Sequence, residues 1–100
     1  MRRVLVYPFA VNIVRNSDKN QFETVRDGQT AVAQYELSGA QMTITHILVP
    51  SPIEGQGVGS ALCQFAIQTA RDEQLKIVPQ CPFMAAYFAR HPEHNDVLAP

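Results

Sequence analysis

Val49-Pro50-Ser51-Pro52-Ile53-Glu54-Gly55-Gln56-Gly57-Val58-Gly59-Ser60 is the stretch on which the reading of this chain turns. Pro50 and Pro52 close an extended segment, because proline has no N–H to give a sheet ladder. Three glycines follow, and from Val58 a helical pattern begins. On a wheel, Ser60, Gln64, Gln68 and Arg71 form one narrow polar stripe, while Leu62, Cys63, Phe65, Ala66, Ile67 and Ala70 occupy most of the rest. A helix from about Val58 to Asp72 or Glu73, lying against a sheet, is the prediction. Strand, glycine turn and helix together make an anion site: the first helical N–H groups lack partners, the helix dipole adds to them, and glycines let the backbone approach phosphate closely. The spacing is neither that of a P-loop, since no Lys-Ser/Thr pair follows, nor that of the dinucleotide fingerprint.

Upstream of this turn the pattern has period two. Phe22 to Arg26 is strand-like, Asp27-Gly28 is a hairpin signal, and Ala31, Ala33, Tyr35 and Leu37 alternate with Val32, Gln34 and Glu36. Ser38-Gly39 makes the next turn, after which Met42, Ile44, His46 and Leu48 are expected on one face and Thr43, Thr45, Ile47 and Val49 on the other. These segments predict an antiparallel meander. Two further short strands, Val4 to Tyr7 and Val11 to Val14, are expected before the polar turn Asn16-Ser17-Asp18-Lys19-Asn20. Downstream, Leu75 to Val78 reads as a strand closed by Pro79. Pro82 opens a second helix, Phe83 to about Arg90, which His91-Pro92 ends.

With 100 residues there is room for one hydrophobic core, so one domain over residues 1–100 is expected. The 46% hydrophobic and 17% charged residues suit a globular chain. A formal net charge of -1 offers no basic footprint for nucleic acid. No apolar run has the length of a membrane span, and the apolar run after Met1-Arg2-Arg3 stops at Pro8, unlike a secretion signal. Two cysteines, Cys63 and Cys81, make no disulfide framework, so a reducing, cytoplasmic setting is expected.

The glycine turn resembles the pyrophosphate signature of the GNAT acetyltransferases, Gln or Arg followed by x-x-Gly-x-Gly/Ala. Thr45-His46 before Val49-Pro50, the Gly-Gln-Gly-Val-Gly-Ser turn, Pro79-Gln80-Cys81-Pro82-Phe83 and Arg90-His91-Pro92-Glu93 resemble the small cysteine-containing branch of that superfamily, over about Phe22 to Leu98. The resemblance implies a minimal α/β GNAT fold: a mixed, mostly antiparallel sheet, a long helix after the glycine turn and a C-terminal helix. It implies acetyl-coenzyme A or coenzyme A as the small-molecule ligand, with Val49 offering strand backbone to the pantetheine arm and Gly55, Gln56, Gly57, Val58, Gly59 and Ser60 cradling the pyrophosphate. Cys81 would stand near the thioester, Tyr87 would act as the acid toward the leaving thiolate, and the acceptor would be an amine or other nucleophile. Glu54 departs from the pattern, and a carboxylate near the pyrophosphate would oppose binding by about 1 kcal/mol. Acyl transfer is the leading expectation; a coenzyme-binding module without turnover and an interaction protein keeping only the fold are the alternatives.

Cys81, between Pro79 and Pro82, is placed to cap the second helix, where the dipole favours a thiolate. It is a candidate nucleophile, a proton carrier, or a small packed hydrophobe. Tyr87 in Phe83-Met84-x-x-Tyr87-Phe88 is equally placed for packing. Cys63 belongs to the apolar face of the first helix, and His46 is expected to be structural. His91 and His94 lack a third ligand at suitable spacing, so no metal site is expected.

Overall fold

The computed structural model describes Leu5–Val6 and residues 12–100. Six strands follow one another in the sheet in chain order: β1 (Leu5–Val6), β2 (Asn12–Asn16), β3 (Gln21–Arg26), β4 (Gln29–Ser38), β5 (Gln41–Leu48) and β6 (Lys76–Pro79). The first five are antiparallel neighbours, and β6 joins β5 in parallel. A parallel neighbour requires a crossover, and helix α1 (Val58–Glu73) supplies it. Helix α2 (Pro82–Arg90) and a 3-10 segment (Pro92–Val97) complete the chain. This is the mixed, mostly antiparallel α/β arrangement expected from the sequence. Of the two N-terminal strands predicted, Val4, Tyr7 and Val11 lie outside the described residues.

Local chemistry explains the turns. Asp27 (φ 52) and Gly28 (φ 75) both take the left-handed conformation, the geometry that matches a two-residue hairpin to the twist of its strands. At Asn16 the side-chain Oδ1 accepts the Lys19 amide at 3.2 Å, closing the β2–β3 turn. Helix α1 ends at Gln74 in the left-handed conformation (φ 59), while the next residue, Leu75, donates its amide to the Ala70 carbonyl at 2.8 Å.

The core lies between α1 and the sheet. Phe65 of α1 meets Phe22 of β3 edge-on at 5.1 Å between ring centres, and Phe22 meets Tyr35 of β4 at 4.9 Å. The Arg15 guanidinium lies 5.4 Å from the centre of the Tyr35 ring, donates to its hydroxyl at 3.0 Å and pairs with Glu73, joining the C-terminal end of α1 to the sheet. Ile13, Met42, Ile44, Leu62, Ile67 and Ile77 are fully enclosed around these rings.

One expectation is corrected on β5. Met42 and Ile44 are buried, but His46 and Leu48 are exposed, while Ile47 and Val49 pack on the core. The cause is a bulge. Tyr35 pairs with Ile44, yet the preceding Gln34 pairs with His46, so Thr45 is an extra residue, with its hydroxyl 3.3 Å from the Gln34 carbonyl. One added residue exchanges the two faces of everything after it. Opposed residues share a face, so Ile47, across from buried Ala33, turns inward and His46 turns outward. The apolar spacing 42, 44, 47, 49 carries this step in the sequence.

Candidate functional site

β5 and β6 are paired only over Gln41–Ile44 and Lys76–Pro79. The Cys81 amide makes one more bond, to the Ile44 carbonyl at 3.0 Å, and there the chain leaves the sheet for α2. Beyond Ile44, β5 runs on with only β4 beside it, so the strands part into a wedge. The end of β5, the glycine turn and the first turns of both helices enclose a cleft of about 690 Å³. Its walls include Thr30, Ile47, Leu48, Val49, Ile53 and Phe83, together with Glu54, Gly55, Gly57, Val58, Gly59 and Ser60.

The glycine turn has the features an anion needs. Gly55 (φ 80) and Gly57 (φ 81) are left-handed, a conformation that side-chain-bearing residues avoid. Gly57 is the N-cap of α1, and no side chain caps this end. The Ala61 amide is satisfied by the Gly57 carbonyl at 3.0 Å, whereas the amides of Val58, Gly59 and Ser60 precede the first helical hydrogen bond. These are the donors, aided by the dipole, that a phosphate would use. The fit to a coenzyme A pyrophosphate is therefore good in backbone, and it is opposed in charge: among the described residues lining the cleft, Glu54 is the one ionisable group.

Gly59 serves a different purpose from the other two. A Cβ there would stand 2.8 Å from Cζ of Phe83, so the missing side chain makes room for the ring of α2. Phe83 itself is 42% exposed and forms part of the cleft wall. Gln56 is half-buried and is not on the cleft wall, and its Oε1 accepts a hydrogen bond from Arg26 Nε of β3.

Cys81 is the N-cap of α2, with extended backbone (φ -69, ψ 129) and no side-chain cap bond. It is buried at the point where β5 and β6 separate and is not on the cleft wall. Tyr87 is also buried and off the wall. Its ring stacks on His91 at 4.2 Å between centres, and its hydroxyl is hydrogen-bonded with the Gln64 side chain of α1. Burial pushes the Tyr87 phenol up, the Gln64 bond opposes that, and the neighbouring Cys63 reinforces it. Cys63 is enclosed in the apolar face of α1, as its position predicts; burial, with the nearby Cys81 as a second cause, pushes its thiol up to about 12. Val49, the glycine turn and Ser60 are thus brought together, while Cys81, Cys63 and Tyr87 group separately along the α1/α2 contact.

Ile47, Leu48, Ile53, Phe83 and Thr30 are cleft residues that sequence reasoning did not pick out. The bulge turns Ile47 inward and the strand separation opens that part of β5, and only the irregular apolar spacing on β5 signals the bulge; Phe83 comes from α2, where Gly59 leaves room for its ring. His91 and His94 have ring centres 6.3 Å apart, and His91 Nδ1 lies 3.2 Å from Glu93 Oε2; among the described residues no group of three or more His, Cys, Asp or Glu could hold a metal ion.

Residues 21–97 match the GCN5-related N-acetyl-transferase family. The fold is similar to the solution NMR structure of a GCN5-like protein from Staphylococcus aureus, with a TM-score of 0.67 and 28% sequence identity, covering 80% of this chain and 81% of that one. The matched region takes in β3 to β6, both helices and the wedge between β5 and β6. On the strength of that match and of the glycine turn at the mouth of the wedge, the chain belongs to the GCN5-related N-acetyltransferase family.

Proposed function

We propose that the protein binds acetyl-coenzyme A in the cleft and passes the acetyl group to an amine. The observation that carries this reading is the uncapped start of α1: amides of Val58, Gly59 and Ser60 border the same cavity as Ile47, Leu48 and Val49 of β5. A phosphate on the amides would lead a pantetheine chain along the open side of β5 toward the junction at Ile44 and Cys81. The bound thioester supplies an activated acyl carbon and a thiolate leaving group.

The chain's own groups then have limited and definite tasks. Backbone donors hold the phosphates, and the separated strand orients the arm by extended hydrogen bonding. The apolar wall of Ile47, Leu48, Val49, Ile53 and Phe83 excludes water from the thioester. In transfer, the amine nitrogen bonds to the acyl carbon, the carbon–sulfur bond breaks, the amine proton passes to solvent, and the departing thiolate takes up a proton. Tyr87 is kept protonated by its burial and is the candidate proton donor to the departing sulfur, while Cys81, at the parting of β5 and β6, is the candidate transient acyl carrier.

A second reading, coenzyme binding without turnover, is favoured by one observation: neither Cys81 nor Tyr87 borders the cleft. One experiment separates the two. Titration with acetyl-coenzyme A, followed by backbone amide shifts, is expected to move Gly55 to Ser60 and Val49; if saturating ligand moves none of them, the coenzyme reading is wrong. Release of free thiol in the presence of an amine panel then supports transfer, and amide shifts without thiol release support the binding module.

A further inference from the structure

Phe22, Tyr35, Phe65, Tyr87 and Phe88 are buried, and Phe83 is the exposed aromatic side chain among the described residues. It is nevertheless held in place. Phe83 is the second residue of α2, behind Pro82, and the end of its ring fills the notch left by Gly59: Cζ, Cε1 and Cε2 are the atoms nearest the place of the missing Cβ. The ring therefore meets α1 end-on, and this contact leaves its flat faces uncovered. The Gly59 amide, one bond from that α-carbon, is among the donors that precede the first helical hydrogen bond of α1. Anion site and aromatic ring are thus immediate neighbours on one cleft wall, which continues in Leu48, Val49 and Ile53. Phe83 also links this cradle to the strand junction, since two residues before it the Cys81 amide bonds the Ile44 carbonyl.

We propose that Phe83 recognises the pantoyl group of the coenzyme, whose carbon with two methyl substituents stands one methylene from the phosphate. The proposal rests on the coenzyme reading and goes beyond it by assigning a specificity-determining residue to the part of the ligand next to the phosphates. Covalent structure sets the match. On the thioester side of the pyrophosphate the first bulky group is this dimethyl carbon, and beyond it the arm consists of polar groups and narrow methylene pairs. On the protein, the bulky side chain packed against Gly59 is Phe83. A phosphate hydrogen-bonded to the Gly59 amide leaves the dimethyl carbon within reach of the ring, whose face accepts methyl groups without any polar partner. Direction is set as well. Phe83 leads toward the junction at Ile44 and Cys81, the course expected of the thioester arm, whereas the adenosine leaves the pyrophosphate at its other end.

The test measures affinity of the full chain for three probes by calorimetry: coenzyme A, 4′-phosphopantetheine lacking the adenosine portion, and a coenzyme A analogue with hydrogens in place of the two pantoyl methyls. Wild-type protein is expected to bind the analogue roughly ten-fold more weakly than coenzyme A, the loss of two buried methyl groups. Phe83→Ala should weaken coenzyme A and 4′-phosphopantetheine alike, by roughly five- to ten-fold, and the analogue by no more than about two-fold, so that ring and methyls are coupled. If Phe83→Ala does not fold, the comparison is read from Phe83→Leu, which should weaken coenzyme A by roughly two- to three-fold and leave the analogue unchanged. Gly59→Ala, which displaces the ring without removing it, should likewise weaken coenzyme A more than the analogue. Equal weakening of all three probes would make Phe83 a general part of the wall and overturn the proposal, and so would no weakening of any. Loss confined to the two adenosine-bearing probes, with 4′-phosphopantetheine unaffected, would also overturn it, since the ring would then serve the adenine. Wild-type protein that binds none of the three would refute the coenzyme reading itself, an outcome distinct from a wild-type that binds coenzyme A and the analogue equally well, which overturns the assignment of Phe83 alone.

Discussion

Gly59→Ala tests the packing of the two helix starts at the cleft. Gly59 has ordinary helical backbone, so alanine meets no conformational strain there, and the cost comes from space. The new Cβ would lie 2.8, 3.1 and 3.3 Å from Cζ, Cε1 and Cε2 of Phe83. Carbon atoms prefer about 3.5–4.0 Å, so the ring must retreat by roughly 0.7 Å. Phe83 is 42% exposed and has solvent beside it, which keeps the cost at the lower end of overpacking, about 1 kcal/mol. Against this stands the helix preference for alanine over glycine, about 0.5–1 kcal/mol in a helix interior and less in the first turn. Gly59→Ala alone is therefore expected to be destabilising by ~0.5 kcal/mol, which is close to neutral. In a Phe83→Ala background the obstacle is gone, and Gly59→Ala should become stabilising by ~0.5 kcal/mol. The four proteins of this cycle, unfolded in urea, should give a coupling near 1 kcal/mol. Coupling indistinguishable from zero would refute the contact. Because the displaced ring forms part of the wall, Gly59→Ala should also weaken acetyl-coenzyme A binding more than its stability cost explains.

Cys63 makes the fold sensitive to alkali. Burial lifts its thiol from 9.0 to about 12, so the folded chain holds the proton more tightly than the unfolded one, and stability is intact below about pH 9 and falls as pH rises toward 12. The slope attributable to this thiol is up to about 1.4 kcal/mol per pH unit, and Cys63→Ala should remove it from a series of urea midpoints taken between pH 8 and 11. Gln74 ends α1 with φ 59, and Gln74→Gly should raise stability by ~0.5–1 kcal/mol in thermal unfolding, since glycine takes that conformation without steric cost. A lower melting temperature would count against the helix end described. Glu54→Gln should tighten acetyl-coenzyme A binding several-fold at low salt and less at high salt; unchanged affinity at both would place the carboxylate out of reach of the phosphates.

Most elements of the fold are legible in the sequence because their signals are local. Asp27-Gly28, the alternation around Tyr35, the glycine turn before Val58 and the proline at Cys81-Pro82 each specify a backbone conformation through a few adjacent residues. The same is true of Cys63, whose burial follows from helical spacing on α1.

What tertiary structure decided is of another kind. The expectation that His46 faces with Ile44 fails at Thr45, because the bulge depends on how β5 meets β4 and not on either strand alone. Phe83 reaches the cleft because Gly59 leaves space on a different helix, and Arg26 reaches the glycine turn because a hairpin thirty positions earlier folds beside it. Cys81 lies next to Pro82 in sequence, yet its place at the parting of β5 and β6 exists only once α1 has carried the chain across the sheet. Turn and helix preferences belong to neighbouring residues and can be read in order along the chain. A binding cleft is a property of distant residues brought together, and its walls are set by register, crossover and close packing, which a linear sequence encodes without displaying.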